Sequence, residues 1–221
     1  TPRLSSAASD VYKRQPNSFT DEVLEVMASD PRFCRYLDMP FQHISDPVLK
    51  KMNRKITRKE IEATMSRVRS QLPDVAWRTT FIVGFPTETD QDFEELVDFV
   101  SEGHFQHLGI FLYSDEDNIR SSKFGDPIPL SLKEERKNRL MEIQQKISRE
   151  HHQKMVGSLL QVLVGGFSSE TDLLLEGRNQ YQGPEVDGVV YINEGNATSA
   201  GFHQVEITEA HEYDLVGKIL N

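Results

Sequence analysis

The chain has 221 residues, 37% hydrophobic and 27% charged, enough for one large core or two smaller ones. No apolar run approaches the roughly 20 residues that span a bilayer, which argues against membrane insertion, and no secretory leader is visible. The single cysteine, Cys34, excludes an internal disulfide and a thiolate metal site of this chain's own, and suits a reducing cytoplasm.

The first fifteen residues, TPRLSSAASDVYKRQ, show neither helical nor strand periodicity and read as a non-native or disordered leader. A βα alternation follows. Thr20 caps a short helix bearing Val23, Leu24 and Met27. A strand is expected over Tyr36–Phe41 and a helical turn over Pro47–Lys51. Thr57 and Glu60 then form a capping box for a helix whose buried face carries Ile61, Met65, Val68 and Leu72. Val75–Phe85 is the central strand. Phe93, Leu96, Val97 and Val100 form the stripe of the next helix, and Leu108–Tyr113 is a further buried strand. A second capping box, Ser131 with Glu134, opens a long helix running to about Met155. Strands alternating with helices imply a parallel sheet with helices outside. Three strands are too few to close a barrel.

Beyond Gly157 the period changes to that of strands, expected over Leu159–Val164, Leu173–Glu176, Val189–Ile192, Val205–Thr208 and Tyr213–Ile219. Five short strands fit a small Greek-key barrel of the oligonucleotide-fold type. The domains are therefore expected at 16–156 and 157–221. The net charge of −10 is concentrated in the second, where ten acidic residues face only Arg178 and Lys218. Such a surface repels phosphate backbones and attracts basic partners. A solvated acidic face kept for solubility gives the same composition.

The run RTTFIVGFPTET, Arg78 to Thr89, joins an apolar strand to a helix through Gly-Phe-Pro. In parallel sheets ligands bind at that carboxyl edge. Gly84 leaves room for close approach, Pro86 stiffens the turn, and Glu88 is expected at the rim of the pocket. An ordinary βα connection reads the same way. Cys34 alone, before a strand, reads as buried apolar filler, and Trp77 as core. His43 is open to a general-base role or to packing. His151 and His152, at the end of the long helix, suit a structural place near the helix dipole.

As a set, YLDMPFQHIS, RTTFIVGFPTET, the long helix and the terminal barrel resemble the radical S-adenosylmethionine methylthiotransferases, in that family's order. The resemblance implies an α/β fold: the C-terminal half of a radical SAM partial (βα) barrel followed by a five-stranded TRAM, or OB-like, barrel. Gln42-His43-Ile44-Ser45, the segment PEVDGVVYI and the ending EYDLVG resemble the RimO branch, which modifies an aspartate of small ribosomal subunit protein 12. The cofactors implied are S-adenosylmethionine and two 4Fe–4S clusters, held by six cysteines that this chain lacks. The chain is accordingly expected to be a carboxy-terminal fragment without the cluster-binding part, inactive alone.

For the nucleotide, the resemblance points to Ile82 and Gly84, to Thr80 where the family's first glycine falls, and to Glu88, a residue late. Gln42 and Ser45 are expected to bond ribose or methionine polar groups. Arg78 is expected to pair with the methionine carboxylate or to sit at the surface, and Tyr113 to line the pocket or pack in the core. Glu185, Asp187, Glu212 and Asp214 are expected to dock a basic ribosomal protein, and nucleic acid is disfavoured because the barrel lacks a Lys/Arg patch. A tRNA-adenosine methylthiotransferase and a stand-alone TRAM binding module are the alternatives.

Overall fold

The computed structural model describes residues 20–115, 124–168, 170–195 and 200–220, so the expected leader over 1–15 lies outside the described residues. The chain divides into two compact units, one from the amino-terminal segment through Gln144 and one from Gln145 onward, the latter also including Cys34–Tyr36.

The first unit follows the predicted alternation. Its elements are α1 (Asp21–Ser29), β1 (Tyr36–Asp38), α2 (Asp46–Lys51), α3 (Arg58–Gln71), β2 (Ala76–Val83), α4 (Asp90–Ser101), β3 (His107–Leu112) and the start of α5 (Leu130–Gln153). The sheet order is β1-β2-β3, and β2 runs parallel to β3 with Arg78 opposite His107, Thr80 opposite Gly109 and Ile82 opposite Phe111. Alternation along β2 sends Trp77, Thr79, Phe81 and Val83 into the core and leaves Arg78, Thr80 and Ile82 on the other, half-buried face.

The core joins Trp77 and Phe81 to Phe41, Phe99 and Phe105, with tilted and edge-on ring contacts near 6 Å. The helices contribute their predicted stripes. Ile61, Met65, Val68 and Leu72 are buried around α3, as are Phe93, Leu96, Val97 and Val100 in α4. The α3 capping box forms as the sequence indicates, Glu60 Oε2 accepting from Thr57 N at 2.8 Å. Thr57→Ala is expected to cost about 1 kcal/mol, read as a lower urea midpoint.

Three expectations are corrected. The helix α5 begins at Leu130, so Ser131 lies inside it and Ser131–Glu134 is not its cap; the amides of Leu132 and Lys133 bond back to Pro129 O instead. A capping box does form at α4, where Asp92 takes the place usual for glutamate and accepts from both Thr89 N and Thr89 Oγ1. Cys34 is exposed, not buried filler, because it lies in the polar connection ahead of the short strand β1.

The second unit is a closed barrel of β4 (Leu159–Phe167), β5 (Leu175–Arg178), β6 (Val190–Glu194), β7 (Gly201–Ala210) and β8 (Leu215–Ile219), in the order β4-β5-β6-β8-β7. All pairs are antiparallel except β6 with β8. Val162, Val164, Val190, Ile192, Val205, Ile207 and Leu215 fill the interior. Gly177 and Gly217 admit the close crossing this requires, since a Cβ at either would press on the barrel interior or a neighbouring backbone. The fold is thus a radical-SAM-like partial parallel sheet followed by a TRAM-like barrel.

Candidate functional site

At the carboxyl edge of β2, Gly84 adopts φ +75, a left-handed conformation open to glycine at little cost. The chain then turns through Phe85 to Glu88 and into α4. Glu88 is not at the rim of a pocket. It is 5% exposed, and its Oε2 accepts from Gly84 N at 2.6 Å and Phe85 N at 3.2 Å. Oε1 accepts from Arg136 Nη1 at 2.9 Å, and Arg136 Nη2 reaches Asp90 at 2.6 Å. Burial pushes the Glu88 carboxyl above its usual range, and Arg136 with the two amides pulls it partly back.

One helical turn before Arg136, Lys133 is also buried. Its stem passes over Gly84, where a Cβ would overlap Lys133 Cγ and lie 2.7 Å from Cδ. Its ammonium donates to Tyr113 O at 2.8 Å and to both oxygens of Asp126, at 2.5 and 2.6 Å, and sits 5.4 Å from the Tyr113 ring centre. The space at Gly84 is therefore filled by a lysine of this chain rather than left for a ligand. Neither cation stood out in the sequence. The only available signal was their spacing of three along α5, which places both on one helix face.

The segment after β1 completes the edge. Gln42 has φ +74, uncommon without glycine, and is locked by Gln42 N to Thr80 O at 2.9 Å and Ile82 N to Gln42 O at 2.8 Å. Ser45 is 1% exposed and donates to Asp92 Oδ1, so its hydroxyl ties this segment to the start of α4. Burial pushes Asp92 up, but bonds from Ser45 and Thr89 outweigh it and hold it below its ordinary value. Tyr113 is buried, stacked edge-on to Phe85 at 5.2 Å. The hydroxyls of Tyr113 and Thr87 have no hydrogen-bond partner. Thus Gln42, Thr80, Ile82, Gly84, Glu88 and Tyr113 gather at one edge.

Arg78 stands apart, six residues before Gly84 on β2, or about 20 Å along an extended strand. It is not a surface head group: its side chain is largely buried, with Nη1 3.4 Å from Asp38 Oδ2 and from Thr80 Oγ1.

His43 is fully buried. Its Nδ1 accepts from Ser45 N at 3.0 Å, which leaves the proton on Nε2, 4.0 Å from Glu88 Oε2. Burial lowers its pKa from 6.5 to about 4, against the opposing pull of Asp92. A base so depressed and enclosed is a packed acceptor. Because the folded pKa lies below the unfolded one, the stability His43 confers is complete above pH 6.5 and is lost as pH falls towards 4. That loss should reach about 3 kcal/mol, from ~1.4 kcal/mol per pKa unit. His43→Asn, which keeps an acceptor for Ser45 N, should flatten this part of the pH profile in urea unfolding followed by Trp77 emission. An unchanged slope would assign it to other groups.

In the second unit, three of the four expected docking carboxylates have internal partners. Asp187 Oδ2 accepts from Gly183 N at 2.7 Å, Asp214 Oδ1 accepts from Val189 N at 2.8 Å, and Glu212 lies 3.4 Å from Arg149. Asp187 and Asp214 thereby pin their own turns. Glu185 is exposed, in a left-handed conformation with φ +66. His152 is buried with its Nδ1 3.1 Å from His211 O, a structural place. The sequence reading missed the exposed apolar residues of the barrel wall, Leu159, Phe167 and Phe202.

Comparison with known proteins follows the same division. Two domain families match this chain. The TRAM domain model matches residues 156–220, and the Radical SAM superfamily model matches residues 14–100. Ribosomal protein uS12 methylthiotransferase RimO of Bdellovibrio bacteriovorus is 48% identical over 205 residues, covering 93% of this chain and 45% of that protein. Proteins of the same name from Desulfotalea psychrophila and Geobacter sulfurreducens are 45% and 42% identical over 206 residues, each covering 93% of this chain and 46% of the relative. The chain thus spans about half the length of the curated relatives it matches.

The expectation of a carboxy-terminal fragment is overturned by the second match. The radical SAM model aligns over residues 14–100, from before α1 through α4, so that domain is represented in this chain.

The cofactors fare differently. A 4Fe–4S cluster does not fit the residues present: Cys34 is the only cysteine, and the described residues hold no group of three or more His, Cys, Asp or Glu able to bind a metal. An adenosyl group does fit the edge described above, where the hydroxyls of Tyr113 and Thr87 lack partners. No helix among the described residues is long and apolar enough to cross a membrane.

Proposed function

We propose that this chain supplies the adenosyl-binding edge and the docking barrel of a cytoplasmic radical SAM methylthiotransferase acting on an aspartate of small ribosomal subunit protein uS12. The observation that carries the reading is the gathering of Gln42, Thr80, Ile82, Gly84 and Tyr113 at one carboxyl edge, in a chain 48% identical to a protein named for that reaction. S-adenosylmethionine, when bound, supplies the radical chemistry. The chain's own residues bind and orient: Gln42 and Ile82 fix the strand end, and Phe85 and Tyr113 offer ring faces to a base. Two 4Fe–4S clusters belong to the complete reaction, and a chain whose only cysteine is Cys34 is inactive alone.

The barrel recognises its partner by charge, ten acidic residues against two basic ones. Of the four expected docking residues, Glu185 is the most exposed to a partner. Binding to purified uS12 and to transfer RNA, each across a salt series, tests the reading. Salt-sensitive binding of uS12 with none of transfer RNA is expected; the reverse favours the tRNA-modifying alternative. Binding of uS12 without S-adenosylhomocysteine binding would reduce the chain to a docking module.

A further inference from the structure

We infer that Arg136, acting through Glu88, is a positioning residue that makes the β2 turn accept an adenosyl group without phosphates. The inference rests on the nucleotide-edge reading above and names what that edge selects.

Two successive backbone amides at the end of a parallel strand, Gly84 N and Phe85 N, point at one acceptor. In phosphate-binding turns such amides face the ligand and bind its anionic oxygens. Here they are filled from within, by Glu88 Oε2 at 2.6 and 3.2 Å. Glu88 can hold that place while buried only because Arg136, 3% exposed, meets its other oxygen at 2.9 Å. The Arg136 fork also reaches Asp90, and its carbon stands 5.2 Å over the Phe93 ring, so its orientation is set on three sides. Lys133, the other cation at this edge, is likewise neutralised by Asp126.

Every charge described at the edge is thus paired, and the amides are closed to an incoming anion. What remains are the ring faces of Phe85 and Tyr113 and the unpartnered hydroxyls of Tyr113 and Thr87, a lining suited to a neutral base and sugar. A buried ion pair contributes little net stability compared with an apolar pair of the same volume. Its role at this position is to hold the turn.

The test uses the whole chain, titrated separately with S-adenosylhomocysteine and with ATP, binding being read from amide NMR shifts and folding from Trp77 emission. The wild type is expected to bind S-adenosylhomocysteine at least ten-fold more tightly than ATP; equal affinities overturn the selectivity. The paired replacement Glu88→Gln with Arg136→Met removes both charges together and is expected to fold while losing at least five-fold in S-adenosylhomocysteine affinity. Unchanged affinity in that folded variant overturns the positioning role. Should it fail to fold, Arg136→Lys keeps the charge but not the fork, and at least a three-fold loss is expected; wild-type affinity there overturns the inference. Failure of the wild-type chain to bind S-adenosylhomocysteine removes the nucleotide reading and this inference together, whereas the variant outcomes bear on the inference alone.

Discussion

Gly84→Ala should lower the stability of the first unit by about 3 kcal/mol. Two costs combine. A side chain at φ +75 loses ~1 kcal/mol or more relative to glycine. The new methyl also overlaps Lys133 near the base of its side chain, where the stem cannot swing aside because its ammonium is held by Tyr113 O and Asp126. Overpacking of this kind typically costs 1–3 kcal/mol. Trp77, the only tryptophan, is buried in the first unit and reports its unfolding separately from the barrel. Adding Lys133→Ala to Gly84→Ala should recover the overlap cost but not the backbone cost, leaving about 1 kcal/mol apart from what Lys133→Ala costs alone. Strict additivity of the two changes would show that the lysine is not what the glycine accommodates.

Arg136→Met alone should be the most damaging single change at the edge, at about 3–5 kcal/mol near neutral pH, because it strands the Glu88 carboxylate without its cation. The pH dependence has a definite sign. The Glu88 pKa is already raised by burial, and removing Arg136 takes away the strongest pull in the other direction. A raised folded pKa means that the protonated form is favoured in the folded state. The variant's deficit relative to the wild type should therefore be largest at pH 8 and shrink towards pH 5 as the carboxyl becomes neutral. Urea midpoints at several pH values would measure it, and a deficit independent of pH would mean that Glu88 is not the group left unpaired.

Both variants concern contacts that the sequence concealed. The periodicity of Ile61, Met65, Val68 and Leu72, and of Phe93 to Val100, was legible because burial repeats with the helical turn. The strands were legible for the same reason at a period of two. The turn at Gly84 was legible as a special place, but its reason was not. Glycine next to Phe-Pro looks like an opening for a ligand, and only the fold brings Lys133, 49 positions later, across it. Glu88 and Ser45 likewise read as free polar groups until Arg136 and Asp92 arrive beside them. Asp187 and Asp214 belong to the same class: the charge count was visible, but the backbone amides that their carboxylates accept from were not. Polar side chains at loop ends are ambiguous in a sequence, since bonding the chain itself and bonding a ligand call for the same residue types.

The cyclic order of the barrel has a consequence for recognition. With β4 paired to both β5 and β7, and β8 set between β6 and β7, each of the five strands has two neighbours, and none offers a free row of main-chain donors and acceptors. A visiting polypeptide cannot join this module by extending it as a sixth strand. Whatever it holds must be gripped by side chains and connecting loops, so affinity should track point substitutions on that outer wall rather than the partner's tendency to become extended.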